Sequence, residues 1–226
     1  WRGVFLFGAV MTLLALFFIL RILPSQSLPA PTFNYLTLLR SLGHLWQSEP
    51  QLRNATLTQA MLFASFSVLW TVLPFWLAHR YGYGAGVTGM LATLGLIGIL
   101  CAPVAGSFSD RRGPLWMVVF GVALMLLAWI VFLGWNNMAG MVVGILLLDA
   151  GEQCVLIANQ HTIYALRPDA RNRLNTLFMC VMFIGGACGS LTATGLWEAT
   201  HNWTLISLAG GAFVLSGMLL AVRRKD

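Results

Sequence analysis

Two acidic residues sit where acids are expensive. Asp149 and Glu152 lie inside the apolar run 138–164, and Asp149 is eleven residues in from Met138. At about 1.5 Å per helical residue that is a depth of roughly 16 Å, near the middle of a hydrocarbon core about 30 Å thick. Asp149, Glu152, Gln153, Leu156 and Gln160 follow i, i+3, i+4, i+7 and i+11, so a helix puts them on one face. A carboxylate turned to lipid costs at least about 2.5 kcal/mol, so this face must look into a bundle or a wet cavity. No Lys or Arg occurs between Arg112 and Arg167, nor between Arg173 and Arg223. Three compensations stay open: a cation from a part of the protein outside this chain, a cationic substrate, or protons taken up by the acids themselves. A carboxyl that loads a proton on one side and releases it on the other is a coupling site. Asp149 is the first candidate for depth and Glu152 the second, with Gln153 and Gln160 along the same pathway. The plain alternative is a protonated or hydrogen-bonded packing residue.

A second candidate lies in the run 55–79. Phe63, Phe66 and Trp70 recur at i, i+3 and i+7, with Ser67, Thr71 and Pro74 nearby. Phe66 and Trp70 could hold a greasy or cationic substrate, although such a stripe also serves packing or faces lipid. Pro74 within the run suggests a kink. Other chemistries find no support. His44, His79, His161 and His201 show no ligand spacing. Cys101, Cys154, Cys180 and Cys188 fall in apolar runs, match no zinc pattern, and are expected to behave as buried small hydrophobes. No nucleophile set or phosphate loop is visible. The reading is therefore not an enzyme, with no metal and no cofactor.

The elements that position these residues follow from composition. Of 226 residues, 58% are hydrophobic and 9% charged, against about 25% charged in a soluble domain. Mean hydropathy is +0.80. Seven runs are long enough to cross a bilayer: 3–21, 55–79, 84–106, 114–135, 138–164, 174–197 and 203–222. All should be helices, because lipid offers the backbone no partners. With the N-terminus outside, inner segments hold eleven of the thirteen basic residues, and outer segments hold Arg2 and Arg80. The net charge of +6 thus reads as a topology signal rather than a nucleic-acid surface. Glycines in the run 84–106 (Gly86, Gly89, Gly95, Gly98) and in the run 174–197 (Gly185, Gly186, Gly189) predict close helix crossings. The long connection 24–54 opens with Pro24, Pro29 and Pro31. Tyr35, Leu38, Leu39, Leu42, Leu45 and Trp46 then fall at helical spacing, which predicts an amphipathic surface helix.

Between two of the spans stands Gly106-Ser107-Phe108-Ser109-Asp110-Arg111-Arg112-Gly113. Gly106 permits close approach and Gly113 a turn. Asp110 can meet a neighbouring helix N-terminus or a guanidinium, and Arg111 with Arg112 holds the loop inside. The spacing G-x-x-x-D-R-x-G resembles the loop signature of the major facilitator superfamily, where it follows the second helix of each six-helix half. Pro114 and Leu115 stand where that signature usually continues with basic residues. The stretches 158–168 and 171–176 are similar to the helix ten to eleven region of carriers of the drug:proton antiporter kind.

The resemblance implies an all-α membrane protein with seven spans. Residues 1–23 would be helix six of a twelve-helix carrier, 24–54 a cytoplasmic linker, and 55–226 the C-terminal six-helix bundle. It implies a gating loop in which Asp110 approaches Asn172–Asn175. It also implies proton-coupled efflux of drug- or sugar-like small molecules across a bacterial inner membrane, with the C-terminus cytoplasmic. The partners are the bilayer, substrate, protons and an N-terminal half of the same carrier. The chain opens at Trp1 inside an apolar run, so a fragment of a longer protein is expected. The rival reading is a non-transporting membrane scaffold, in which loss of Asp149 and Glu152 would be silent.

Overall fold

The computed structural model describes residues 2–22, 35–95 and 113–222. Among them are eight α-helices: α1 (Arg2–Ile22), α2 (Tyr35–Ser48), α3 (Pro50–Tyr81), α4 (Ala85–Ala92), α5 (Pro114–Gly134), α6 (Met138–Leu166), α7 (Arg171–Thr200) and α8 (Trp203–Val222). Six are long and apolar enough to cross a membrane. The predicted run 84–106 appears as α4 and a turn reaching Gly95; the rest lies outside the described residues. So do Gly106, Asp110 and Arg111 of the loop signature. Gly113 is described, with φ of 89°, a conformation that suits glycine and lets the chain turn into α5.

The chain forms two units, divided after Leu38. The first contains α1, apolar all round and with every described side chain exposed, as expected of a helix suited to lipid. Arg21 at its last turn covers the ring of Phe17 at 4.9 Å.

The second unit is a bundle of α3–α8 together with α2 from Leu39 onward. Its helices outrun the predicted apolar spans. The α3 helix has 32 residues, α6 has 29 and α7 has 30, where about 20 would cross the hydrocarbon. The linker predicted to run to residue 54 gives way to helix at Pro50. Proline fits a first turn, where no N–H partner is needed. Leu52 and Ala55 on that extension are buried with Leu45 of α2, Ile163 of α6, and Leu174 and Phe178 of α7. This satellite core keeps the helix ends ordered beyond the hydrocarbon. It also engages one side of the amphipathic α2, whose Leu39, Arg40 and His44 stay exposed.

At two crossings a glycine meets the neighbouring helix's backbone. A Cβ on Gly185 or Gly189 of α7 would overlap the carbonyls of Ala60 and Ala64 on α3. Gly121 of α5 and Gly151 of α6 face each other reciprocally, and a Cβ on either would lie 2.6 Å from the other's carbonyl oxygen. The prediction of close crossing holds for Gly185, Gly186 and Gly189. It fails for Gly86 and Gly89, where a Cβ would meet no atom within 4 Å and would open onto space. Pro74 is passed within one continuous α3. Cys154 is buried as expected, but Cys180 and Cys188 are exposed on the outer side of α7, and Cys101 lies outside the described residues.

Polar side chains tie the remaining contacts. Trp129 of α5 donates its indole N–H to Ser65 Oγ of α3 at 2.7 Å. Trp203 of α8 donates to the carbonyl of Phe132 at 3.0 Å. Thr71 and Ser190 share a hydrogen bond of 2.9 Å between α3 and α7. In an apolar surrounding each buried donor needs such a partner, so these bonds fix which faces meet.

Candidate substrate and proton site

The α6 helix starts from an Asn137 cap, whose side chain accepts from the Gly140 N–H at 2.9 Å. It then runs unbroken through both acids. Asp149 is 6% exposed and Glu152 4%. Neither turns to lipid, as the cost of doing so requires.

The two acids do not share one environment. Three residues along a helix is about 60° of rotation, enough to separate their directions. Asp149 lines an open cleft of about 340 Å³ with Phe66 and Trp70 of α3, Ala92 and Gly95 after α4's start, and Gln153 of α6. Its Oδ1 is buried with no hydrogen-bond partner among the described residues. Gly95 approaches from the far wall so closely that a Cβ there would sit 3.1 Å from Asp149 Oδ2. The aromatic wall is continuous: the Phe63 and Phe66 rings stack at 5.7 Å, and Phe66 meets Trp70 at 6.1 Å. Phe183 of α7 abuts Phe63 edge-on at 5.6 Å.

Glu152 meets α3 at another level, at Gln59, two turns before Phe66. Its Oε1 accepts from Gln59 Nε2 at 2.6 Å, and Gln59 Oε1 in turn accepts from Asn159 Nδ2 at 3.1 Å. Gln59 and Asn159 are fully buried. The donor that meets Glu152 is thus an amide, consistent with the absence of Lys and Arg from α6.

The structure therefore brings together four of the predicted residues, Asp149, Gln153, Phe66 and Trp70, on one cleft, with Glu152 behind it. Gln160 is half-buried two turns further along α6 and does not line the cleft. Gln59 and Asn159 are not among the predicted residues. A signal for the first exists: Gln59 continues the Phe63, Phe66 and Trp70 stripe at i, i+4, i+7 and i+11. Asn159 lies seven residues from Glu152, two turns up the same face.

At the end of α6 near the satellite core, Arg167 pairs with Glu49 at 2.8 Å across the α2–α3 junction. Tyr164 donates to Asn175 Oδ1 at 2.7 Å. Asn175, expected near Asp110, is thus engaged by Tyr164; the expected Asp110 contact lies outside the described residues.

The family model of the Major Facilitator Superfamily matches residues 55–226. The chain is 37% identical over 222 residues to YgaY of Escherichia coli strain K12, a match that covers 97% of this chain and 56% of that protein. The YgaY of Escherichia coli O157:H7 matches equally over the same shares. Both are named as uncharacterized transporters. A protein of Streptomyces coelicolor named as the probable transporter SCO4007 is 30% identical over 228 residues, 99% of this chain and 52% of that protein. The chain thus spans about half the length of the curated relatives it matches.

Proposed function

The chain belongs to the major facilitator superfamily, and on that premise we propose that it forms the C-terminal part of a secondary active transporter that expels small molecules in exchange for protons. It is a multi-pass membrane protein of a transporter family and not an enzyme. The observation that carries the proposal is Asp149: an acid buried at mid-helix beside the Trp70 indole, with its Oδ1 unpartnered among the described residues, on the wall of an aromatic cleft. Such an acid in a span is costly unless its protonation is used. Phe66, Trp70 and Gln153 supply an apolar face and one amide, with no Lys or Arg among the cleft's lining residues, so the cleft favours a neutral or cationic apolar body over an anion. An N-terminal half would supply the opposite wall, as in carriers built from repeats. A bacterial inner membrane with the C-terminus in the cytoplasm fits the distribution of basic residues.

The test uses inverted membrane vesicles containing the protein, with an acidified lumen reported by a pH-quenched dye. An apolar cationic or neutral solute that is carried should restore fluorescence on addition, and an uncoupler should abolish its accumulation. Solutes that equilibrate without moving protons, and are indifferent to the uncoupler, would rule out the exchange.

A further inference from the structure

The hydrogen-bond chain behind the cleft has a property that the cleft lacks. It runs Asn159→Gln59→Glu152, each arrow pointing from donor to acceptor. In this direction it suits a Glu152 carboxylate, which can only accept. Two atoms at its ends are buried without a partner among the described residues: Glu152 Oε2 and Asn159 Oδ1. They are the atoms that the opposite polarity would use. An amide carries its donor and acceptor at nearly the same place, so a half-turn of each side chain exchanges them. If Glu152 gains a proton, its O–H can donate to Gln59 Oε1. Gln59 Nε2 then faces Asn159, and Asn159 Oδ1 becomes the acceptor. The chain reads Glu152→Gln59→Asn159, with two hydrogen bonds as before and no backbone movement.

We propose that Gln59 and Asn159 are positioning residues that let Glu152 carry and release a proton at constant hydrogen-bond count, while Asp149 faces the substrate cleft. The inference deepens the transport reading and rests on it for the use of the proton. Without a reversible partner, one protonation state of a buried acid would leave a polar group unmet. A fixed donor such as Lys would favour one state only. Two amides favour neither. The geometry also separates tasks that the sequence alone left undivided: Asp149 lines the cleft and Glu152 does not, whereas the amide chain ends on Glu152. The charged or titratable groups nearby are few. Asp149 lies one turn away on α6, His161 lies nine residues further along it, and the facing turns of α3 around Gln59 carry none nearer than Arg53. The α5 and α8 helices carry no charged residue, and Arg171, Arg173 and Glu198 stand near the ends of α7. Because Gln59 is on α3 and its two partners are on α6, the reversal is felt at the contact between those helices.

Infrared difference spectra of the purified protein, recorded between high and low pH, test this without any substrate. The unmodified protein should show a protonated carboxyl band at the frequency of a hydrogen-bonded acid, together with an amide side-chain signal. Glu152→Gln should lose the band at the hydrogen-bonded frequency, and Asp149→Asn should keep that band while removing any carboxyl signal of Asp149 itself. Gln59→Leu should move the band up to the frequency of an unbonded acid. Should that variant fail to fold, Asn159→Leu serves: the carboxyl band stays in place and the amide signal falls. A hydrogen-bonded carboxyl band that survives Glu152→Gln at its full intensity would overturn the assignment. So would a band unmoved by Gln59→Leu, or an amide signal unchanged by Asn159→Leu. Proton-driven flux is a separate measurement, so failure here and failure of the transport reading are distinguishable.

Discussion

Replacing Gly121 by alanine should destabilise the bundle, although the same change at Gly89 should not. A Cβ on Gly121 would lie 2.6 Å from the carbonyl oxygen of Gly151 and 2.6 Å from Val155 Cγ2. Ordinary contact begins near 3.4 Å, so α5 and α6 must part by about 0.8 Å. The carbonyl is backbone and cannot swing aside as a long side chain could. Opening a packed face by that much forfeits a quarter to a half of the dispersion at each contact along it. Overpacking of this kind costs about 1–3 kcal/mol, against a gain of about 1 kcal/mol for alanine over glycine in a helix, so a net loss of up to about 2 kcal/mol is expected. Gly89 on α4 is the control. No atom lies within 4 Å of its Cβ position, so only the helix gain remains and Gly89→Ala should be neutral or slightly stabilising. Unfolding of the purified protein in mixed micelles under increasing sodium dodecyl sulfate gives both values from one protocol. A Gly121→Ala protein as stable as the unmodified one, or a Gly89→Ala protein less stable than it, would refute the reasoning.

Ser65→Ala should cost about 1–3 kcal/mol in the same assay, because it strands the buried Trp129 N–H. Adding Trp129→Phe to it should cost less than the sum of the two single changes, since the stranded donor is then gone. Leu45→Ala should undock α2 from the satellite core, with a loss of about 2–5 kcal/mol locally and faster proteolysis around residues 39–49. By contrast Glu49→Gln should cost under about 1 kcal/mol and lose even that effect in high salt, since Arg167 is 46% exposed.

Some of this architecture is legible in the sequence, and the rest is concealed for physical reasons. Spacing along α6 is enough to place Asp149 and Gln153 on one face, because 3.6-residue periodicity is a property of one helix alone. That Phe66 and Trp70 form the opposite wall depends on how α3 crosses α6, which periodicity does not contain. Glu152 shares the predicted face with Asp149, yet the crossing brings it to α3 two turns before Phe66, where Gln59 receives it. The start of the helix at Pro50 escapes hydropathy for a related reason. Hydropathy stops where lipid stops, whereas α3 continues into a second small core built by Leu45, Leu52 and Phe178. Glycine content predicts close crossings for two runs; the structure shows close approach at Gly185 and Gly189 in one and at Gly95 in the other, but open space at Gly86 and Gly89. The Gly121–Gly151 pair is not foreseen, because small residues say that approach is possible and not with which neighbour.

At the centre stands the proposal that buried acids in this chain couple substrate movement to protons. Flux into vesicles under an imposed pH gradient, measured for Asp149→Asn and Glu152→Gln beside the unmodified protein, tests it most directly. Glu152→Gln should still exchange labelled for unlabelled substrate but no longer concentrate it, and Asp149→Asn should lose both. Gradient-driven accumulation that persists at its unmodified level in both variants would contradict it.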